Sequence, residues 1–318
     1  MVRKKAESLI TIVVPVYNGA KYLPDLIANL QNQTYRNLEI LMVDDLSTDN
    51  SAKIIKSAAN QDKRFKLISR TTKGGTAVAG QEYALPFVTG EYYFFMSQDD
   101  LIDNDLLEKC IKRAIETNAD VVMPNMVLYY DGKPRVKALK YPLNDDYNSE
   151  LAPKTAFELS LDWQIHGFVL RKTDLVRRAG IVAEYYNSDE FCGRRALLYA
   201  NKIVFVDTNF YYRQDNPDAI TKTIKYFTVD VMTTDLMLLD LAIQNKCDIR
   251  VIRKRIRALR GAFTWWAKRM YSKQWTPDQS RYIKNACRVA FKKLFWLSLK
   301  YGVFNKTITF IVRGIKCI

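Results

Sequence analysis

The sequence predicts an α/β protein with a mixed, mainly parallel sheet flanked by helices, followed by a basic, helical C-terminal region. Two observations lead to this prediction. Short β-branched runs alternate with helical patterns at the spacing of parallel βαβ units, and the positive charge is concentrated at one end of the chain. With 318 residues and 48% hydrophobic content, the chain is long and apolar enough for a large packed core.

The first half of the chain carries the alternation most clearly. A β-branched run at 9–16 is followed by the turn residues Tyr17-Asn18-Gly19 and by a helix with Pro24 in its first turn. A second strand, Leu38 to Val43, ends in Asp44-Asp45 and precedes a helix over about 51–59. A third strand at 65–69, a helix near 81–88 and a fourth strand at 92–96 continue the pattern, and the fourth strand is followed by Asp99-Asp100.

The remaining elements are less regular. We predict a helix from about Leu106, a strand at 121–123, a hairpin turn at Asp131-Gly132 and a helix capped by Thr155 with Glu158. Two short strands at 203–206 and 210–213 follow, and the chain is helical from Phe227 onward. The predicted domains are residues 1–225, the α/β part, and residues 226–318, the basic helical part.

Two acid pairs follow parallel strands of the predicted sheet. In open α/β sheets ligands bind at the carboxyl ends of the strands, so Asp44-Asp45 and Asp99-Asp100 are expected to face one crevice. Clustered carboxylates repel each other, and a divalent cation with phosphate oxygens on its other side relieves that repulsion. Either pair alone would also fit a helix cap.

Three segments resemble the family-2 glycosyltransferases of the GT-A fold, which are inverting enzymes that use nucleotide-diphospho-sugars. They are TIVVPVYNGAKYLPDLIANLQNQTYRNLEILMVDDLSTDNS from Thr11, GEYYFFMSQDDLI from Gly90, and SDEFCGRRALLYANKIVFVDTNFYYRQDNPDAIT from Ser188. The resemblance covers about the first 220 residues and implies a GT-A fold and a hexosyltransferase of the bacterial surface-polysaccharide type.

The resemblance also implies roles for individual residues. It implies that Pro15, Val16 and Tyr17 cradle the uracil of a UDP-sugar, that Asp45 accepts a hydrogen bond from the uracil ring, and that Glu39 lies in the same pocket. It implies that Asp99 faces the ribose or donor sugar and that Asp100 binds Mn²⁺ or Mg²⁺ bridging the two phosphates. A cation there would stabilise the charge that gathers on the leaving nucleoside diphosphate.

The reaction also needs a base for the acceptor hydroxyl. The resemblance places an acid of the segment NSDEF in this role, and Asp189 aligns best, with Glu190 as the alternative. Asp189 would equally serve as a helix cap. Arg213 and Gln214 match a segment that orders the donor or a mobile lid, and a strand end followed by a solvated loop is the alternative for them.

The sequence departs from the family pattern in two places. Ser97 stands where many members have an acid, and Gly80-Gln81-Glu82 stands where many have Ala-Arg-Asn, which removes an arginine that could contact the diphosphate. No histidine lies where some relatives use one as a metal ligand near the lid. His166, the one histidine of the chain, is interpreted as a structural or acceptor-side residue.

The C-terminal 70 residues are strongly basic and aromatic. They hold 18 basic residues and one acid, a net charge of +17, whereas the preceding 248 residues have 31 basic and 33 acidic residues, a net charge of −2. Four of the five tryptophans lie there, and Ala286, Ala290, Leu294, Leu297 and Tyr301 have helical spacing. We interpret this region as binding an anionic membrane surface, with packing on the catalytic domain or a homo-oligomer contact as alternatives.

Composition and targeting signals bear on the cellular compartment in which the protein works. The five widely spaced cysteines indicate neither a disulfide framework nor a zinc site, and neither a signal peptide nor a membrane-spanning run is recognised. We therefore expect a cytoplasmic enzyme, peripheral on the inner face of the membrane, with a glycan or lipid-linked acceptor. The alternative is a nucleic-acid- or polyanion-binding protein using the basic tail. Since no nucleic-acid module is recognisable, nucleic acid is not among the expected partners.

Overall fold

The computed structural model describes residues 8–130, 136–139, 142–217, 219, 222, 224–271, 274–304, 310, 311 and 314. The chain forms two units. The first consists of Met1–Ala183 with Cys192–Pro217, and the second of Glu184–Phe191 with Asp218–Ile318. The predicted domain boundary lies between residues 225 and 226, whereas the units of the structure divide between residues 217 and 218. In addition, Glu184–Phe191, which the sequence analysis assigned to the first domain, belongs to the second unit.

The strands of the first unit join in one mixed sheet. Among the described residues they are β1 Ile10–Val16, β2 Leu38–Asp44, β3 Phe65–Ser69, β4 Tyr92–Phe95, β5 Leu101–Ile102, β6 Val121–Tyr129, β7 Val136–Lys137, β8 Glu150–Leu151, β9 Leu170–Lys172 and β10 Ile203–Arg213. The main path runs β3-β2-β1-β4-β9-β6-β10-β5, while β7 pairs with β6 and β8 with β10. This confirms the α/β fold class.

The strands β3, β2, β1 and β4 are parallel neighbours, and this arrangement positions the site. Val16 lies opposite Asp44 in the β1–β2 ladder, and Val13 lies opposite Phe95 in the β1–β4 ladder. These strands are almost continuously apolar, as expected for a sheet covered on both faces. Because they run in one direction, the loops after β1, β2, β3 and β4 meet at one edge of the sheet.

Helices cover both faces of this sheet. They are α1 Leu23–Gln31, α2 Ser51–Gln61, α3 Ala77–Ala84, α4 Leu106–Thr117, α5 Pro153–Leu161, α6 Thr173–Ala179 and α7 Ser188–Tyr199, whose first turn belongs to the second unit. One core joins strand residues such as Ile12 and Phe94 to Leu26 of α1 and Leu107 of α4. A smaller core lies on the other face and includes Tyr93.

Several predicted elements differ in detail. The two short strands at 203–206 and 210–213 are one strand, β10, with an irregularity between Phe205 and Asn209. Helix α5 begins at Pro153, before the predicted Thr155 cap, because proline is suited to the first helical position. Helix α3 begins four residues before the predicted start, where Thr76 accepts a hydrogen bond from the Ala79 N–H. The predicted hairpin turn at Asp131-Gly132 lies outside the described residues.

The second unit is built mainly from α8 Asp230–Gln244, α9 Ile249–Tyr271 and α10 Pro277–Lys300, which pack on one another. Phe263 and Phe291 join α9 to α10 with ring centroids 6.1 Å apart. The apolar stripe of α10 that was interpreted as facing a membrane is not an open face of the helix. Ala290 and Leu294 are buried within the unit, because they face the other helices, whereas Trp296 is 67% exposed.

No helix within the described ranges combines the length and the apolar character needed to cross a membrane. The four cysteines in this part of the chain form no disulfide and are buried.

Candidate functional site

The loops after β1 and β4 are tied together by one glutamine side chain. The Tyr17 N–H donates to Oε1 of Gln98 at 2.9 Å, and Nε2 of Gln98 donates to the Tyr17 carbonyl at 3.1 Å. Pro15 and Val16 end β1 just before this point, and the Tyr17 ring remains 41% exposed. The end of β1 therefore offers an open aromatic face whose backbone is fixed to the neighbouring loop.

Asp45 is a rigidly held acceptor at the end of β2. Its two carboxylate oxygens accept the N–H groups of Gly74 and Gly75 at 2.6 and 2.7 Å, and the Arg70 guanidinium lies 2.9 Å from it. Gly75 has a φ of +76°, a conformation that a side chain would disfavour. Gly74 and Arg70 both contact Oδ1, whereas Oδ2 has the Gly75 N–H as its partner. A carboxylate oxygen can accept two hydrogen bonds, so Oδ2 of Asp45 can still accept one from a ligand.

Two basic residues that the sequence analysis did not single out lie beside these groups. Arg70 directly follows β3, and Lys73 donates to the Tyr17 hydroxyl at 2.8 Å, with its ammonium 4.0 Å from the centre of the tyrosine ring. Gln81, which stands where the family often has arginine, instead accepts a hydrogen bond from the buried Tyr93 hydroxyl at 3.1 Å. A basic residue just after the third parallel strand was the signal that could have identified Arg70.

The acid pair after β4 is held by the end of β10. Oδ1 of Asp100 accepts the Arg213 N–H at 3.0 Å, while Nε of Arg213 donates to the Asp99 carbonyl at 3.0 Å. Nδ2 of Asn216 donates to the Asp99 carboxylate at 2.6 Å. Asn216 is a further residue that the sequence analysis did not single out. Its contact depends on a pairing 117 positions apart in the chain, for which no local pattern exists.

Arg213 is fixed on both sides by aromatic rings. Its guanidinium lies 5.2 Å from the ring centre of Tyr22 and 4.6 Å from that of Tyr129, and it is almost fully buried. Gln214 continues the pairing with β6 by donating its N–H to the Tyr129 carbonyl at 2.8 Å. The sequence analysis gave two alternatives for this segment, and the structure shows a strand end. Arg213 is buried there rather than solvated, and it supports the acid pair.

Asp100, to which the resemblance assigns a divalent cation, is buried, and its two oxygens accept the N–H groups of Arg213 and Ser97. Asp100 is fully buried, and burial together with the neighbouring Asp99 carboxylate raises its pKa well above the usual range. A bound cation would offset the free-energy cost of keeping the buried Asp100 carboxylate ionised. Among the described residues, no three or more histidine, cysteine, aspartate or glutamate side chains are arranged so that together they could hold a metal ion. A cation here would therefore rely on one or two carboxylates plus ligand oxygens, which is common for Mg²⁺.

Glu39 lies away from these groups, so its expected place in the nucleotide pocket is not supported. It is near the start of β2, five residues from Asp44, or roughly 16 Å at the usual rise of a strand. Its buried carboxylate accepts from Thr11 at 2.6 Å, from Thr89 at 3.0 Å and from Lys66 at 2.7 Å. These bonds tie the opposite edge of the sheet together, which is a structural role.

Asp189 and Glu190 lie in the first turn of α7, in the part of that helix that belongs to the second unit. Just before them, Ser188 accepts the Tyr185 N–H at 2.9 Å and donates its own N–H to the Tyr185 carbonyl at 3.2 Å. Burial and the nearby Asp189 charge raise the pKa of Tyr186 to about 12. The local geometry is therefore that of a well-formed helix start with an acidic first turn, a favourable place for negative charge.

His166 has a structural environment in the first unit. Its Nε2 lies 2.8 Å from the Pro124 carbonyl, and its Nδ1 accepts the Phe168 N–H at 3.2 Å. These two bonds fit the neutral ring with its proton on Nε2. Burial, with a smaller contribution from the Arg171 charge, lowers the pKa of His166 to about 4.

Comparison with known proteins identifies the family. Residues 11–174 match the family described as Glycosyl transferase family 2. Glycosyltransferase GlyG of Streptococcus pneumoniae is 31% identical over 224 residues, which is 68% of this chain and 73% of GlyG.

Two solved structures share the fold. S. aureus TarS in complex with UDP-GlcNAc has a TM-score of 0.66 at 18% identity, over 90% of this chain and 81% of that one. The mannosyltransferase PcManGT from Pyrobaculum calidifontis, in complex with GDP-Man and Mn²⁺, has a TM-score of 0.55 at 16% identity, over 98% and 87% of the two chains. The sheet, its acid pairs and these similarities lead to one conclusion: the chain belongs to glycosyl transferase family 2 and is a glycosyltransferase.

Proposed function

We propose that the protein transfers a sugar from a UDP-sugar to a hydroxyl group of a glycan or lipid-linked acceptor in bacterial cell-surface polysaccharide synthesis, with inversion at the anomeric carbon. The observation that carries this proposal is the rigidly held Asp45 carboxylate beside the open Tyr17 ring, at the edge of the sheet that also carries Asp99 and Asp100. Family membership favours this enzyme over the nucleic-acid-binding alternative.

In this proposal the nucleotide base lies against Pro15, Val16 and Tyr17. Uracil carries an N–H at ring position 3, and Asp45 accepts a hydrogen bond from it. The two glycine N–H groups fix the direction of the carboxylate before the ligand arrives. Such preorganisation lowers the cost of binding.

The diphosphate and donor sugar lie toward the loop after β4. Asp99 contacts the ribose or donor sugar, and Asp100 holds Mn²⁺ or Mg²⁺, which when bound stabilises the charge of the leaving nucleoside diphosphate. Arg213 and Gln214 belong to the donor side of the site, and Arg213 keeps the acid pair in place through two hydrogen bonds. Arg70 and Lys73 add positive charge near the donor, where the family arginine is replaced by Gln81.

The acceptor hydroxyl needs a base as it attacks the anomeric carbon. Asp189 takes its proton in this proposal, with Glu190 as the alternative, and both lie in an acidic first helical turn. Proton transfer by a positioned carboxylate contributes about 10² to 10⁴ in rate.

Nucleotide discrimination tests the proposed base contact. Cytosine has no N–H at ring position 3, so we expect the protein to bind UDP at least about tenfold more tightly than CDP, the value of one lost hydrogen bond in a dry site. In Asp45→Asn that preference should largely disappear. Asp62→Asn is the matched control, because this acid pairs with Arg64 at 2.7 Å, just before the start of β3. Equal affinity for UDP and CDP in the unaltered protein would contradict the proposal.

We further propose that the second unit binds the anionic inner face of the cell membrane. The supporting observations are the net charge of +17 over the last 70 residues and two exposed tryptophans, Trp265 at 50% and Trp296 at 67%. Lysines lie near them on the same helices, and Lys268, Lys292 and Lys300 are exposed. Tryptophan favours the headgroup region, and each lysine gains on the order of 1 kcal/mol near an anionic leaflet.

A further inference from the structure

The segment that leads into the helix start carrying Asp189 and Glu190 is held by a carboxylate from a distant part of the chain. The Tyr186 N–H donates to Oδ2 of Asp230 at 3.3 Å, across 44 positions. The neighbouring Tyr185 N–H is satisfied locally by Ser188. Asp230 therefore supplies an acceptor that the sequence just before α7 does not.

The residues just before a helix fix the direction in which the helix starts. Asp230 is 4% exposed, so its hydrogen bond to the Tyr186 N–H is shielded from water and holds the backbone there more firmly than an exposed hydrogen bond would.

A tyrosine of α10 holds the other oxygen of that carboxylate. The Tyr282 hydroxyl donates to Oδ1 of Asp230 at 2.5 Å. A chain of two hydrogen bonds thus runs from α10 through Asp230 to the backbone of Tyr186. The residues of this hydrogen-bonded chain all belong to the second unit, which contains both Glu184–Phe191 and the C-terminal helices.

Aromatic packing follows the same route. The ring centres of Tyr186 and Phe227 are 5.5 Å apart, and those of Phe227 and Tyr226 are 5.3 Å apart. The Tyr226 ring lies edge-on to the Tyr282 ring, with 5.7 Å between the ring centres. Edge-to-face and tilted pairs at these distances are favourable. The hydrogen-bonded chain therefore has a packed apolar layer beside it, and the two together limit how far the helix start can move.

We propose that Tyr282 and Asp230 are positioning residues that set the orientation of the acidic first turn of α7, so that the C-terminal helices take part in the reaction through that turn. The step from positioning to catalysis rests on the proposed function, in which Asp189 or Glu190 is the base. A misplacement of about 1 Å in a catalytic group can cost on the order of 10² in rate, so a helical unit without substrate contacts can still control turnover.

Hydrogen exchange tests the positioning itself, independently of any activity. Tyr282→Phe keeps the ring and removes only the hydroxyl, and we expect the backbone amides of residues 184–191 to exchange about tenfold faster, the loss of roughly one hydrogen bond. Tyr301→Phe makes the same chemical change at the C-terminal end of α10 and should leave these amides unchanged. Unchanged exchange in Tyr282→Phe would overturn the proposal.

A double-mutant cycle tests the link to the base. Tyr282→Phe should lower kcat about tenfold while leaving the Kd for UDP within about twofold, and in the Asp189→Asn background it should have little further effect, since both changes act through one group. If Glu190→Gln is the variant that abolishes transfer, the cycle is repeated in that background.

The two failures are distinguishable. If neither Asp189→Asn nor Glu190→Gln reduces transfer, the proposed base is wrong even where exchange at 184–191 responds to Tyr282→Phe. The other failure is that one of these two variants does reduce transfer, but Tyr282→Phe lowers kcat by the same factor in that variant as in the unaltered protein. Tyr282 then acts elsewhere, and the proposed positioning role in catalysis is wrong.

Discussion

The backbone N–H of Arg213 donates a 3.0 Å hydrogen bond to the fully buried Asp100 carboxylate, and the same residue's guanidinium donates to the Asp99 carbonyl. One residue at the end of β10 thus fixes both members of the acid pair that follows β4. The geometry of the acid pair depends on a strand that the chain reaches more than 100 residues later.

Arg213→Lys should lower turnover by about 10- to 100-fold with little effect on UDP affinity. Lysine keeps the charge but loses the planar guanidinium that lies between Tyr22 and Tyr129, and a misplaced acid pair affects catalysis more than base recognition. Steady-state kinetics and UDP titration measure the two effects separately. Arg178→Lys is the control, because Arg178 forms an exposed pair with Asp174. Unchanged kcat in Arg213→Lys would argue against the supporting role.

Asp189→Asn should lower the transfer rate by about 10² to 10⁴, the usual contribution of a general base, while UDP binding stays near normal. Glu190→Gln is the partner variant, since both acids lie in the same helical turn. Rates with saturating donor decide between them. If Asp189→Asn retains activity and Glu190→Gln does not, the base is Glu190.

The His166 environment predicts a loss of stability in acid. Burial lowers the pKa of the folded histidine to about 4, whereas an unfolded histidine titrates near 6.5. Below about pH 6.5 the histidine is protonated in the unfolded chain, whereas in the folded chain it stays neutral. The free energy of unfolding therefore keeps the contribution of His166 above that pH and loses it as the pH falls toward 4. The full contribution is about 3 kcal/mol.

His166→Gln should flatten this dependence, because glutamine does not titrate and His166 is the one histidine of the chain. Urea unfolding midpoints of both proteins, compared at neutral pH and near the lower end of this range, give the measurement. An equal drop in midpoint for the two proteins would show that other groups account for the acid sensitivity.

The two exposed tryptophans of the second unit should be needed for membrane binding. Trp265→Ser with Trp296→Ser should reduce binding to phosphatidylglycerol vesicles by about tenfold or more, and binding by the unaltered protein should weaken with salt, as surface charges are screened within about 10 Å. Trp163→Ser is the control, since this tryptophan is 49% exposed and belongs to the first unit. Absence of vesicle binding at low salt would remove the membrane proposal.

The sequence alone located the parallel strands and the acid pairs, because both depend on local patterns. The run Ile40 to Val43 is apolar along its whole length, and the acids directly after it are visible without a structure. Asp45 was predicted to lie at the carboxyl edge of the sheet for this reason. Glu39 was misplaced, because the resemblance assigned it to the pocket although it lies near the start of the same strand.

The contacts that hold the site could not be predicted from local patterns. Gln98 reaches Tyr17 across 81 positions, and Asn216 reaches Asp99 across 117. Neither residue type has a preference that indicates such a partner. The grouping of 184–191 with the C-terminal helices was missed for the same reason, since it depends on Asp230 and Tyr282, which come much later in the chain.

Nucleotide release tests the central claim most directly. The purified full chain is incubated with UDP-, GDP- and dTDP-sugars and Mn²⁺, with Asp100→Asn measured in parallel and with EDTA replacing the metal in a third set. We expect release of UDP, and a reduction of at least roughly a hundredfold in Asp100→Asn, as a cation loses its charged anchor. Release of GDP or dTDP in preference to UDP, or full activity in EDTA and in Asp100→Asn, would contradict the account.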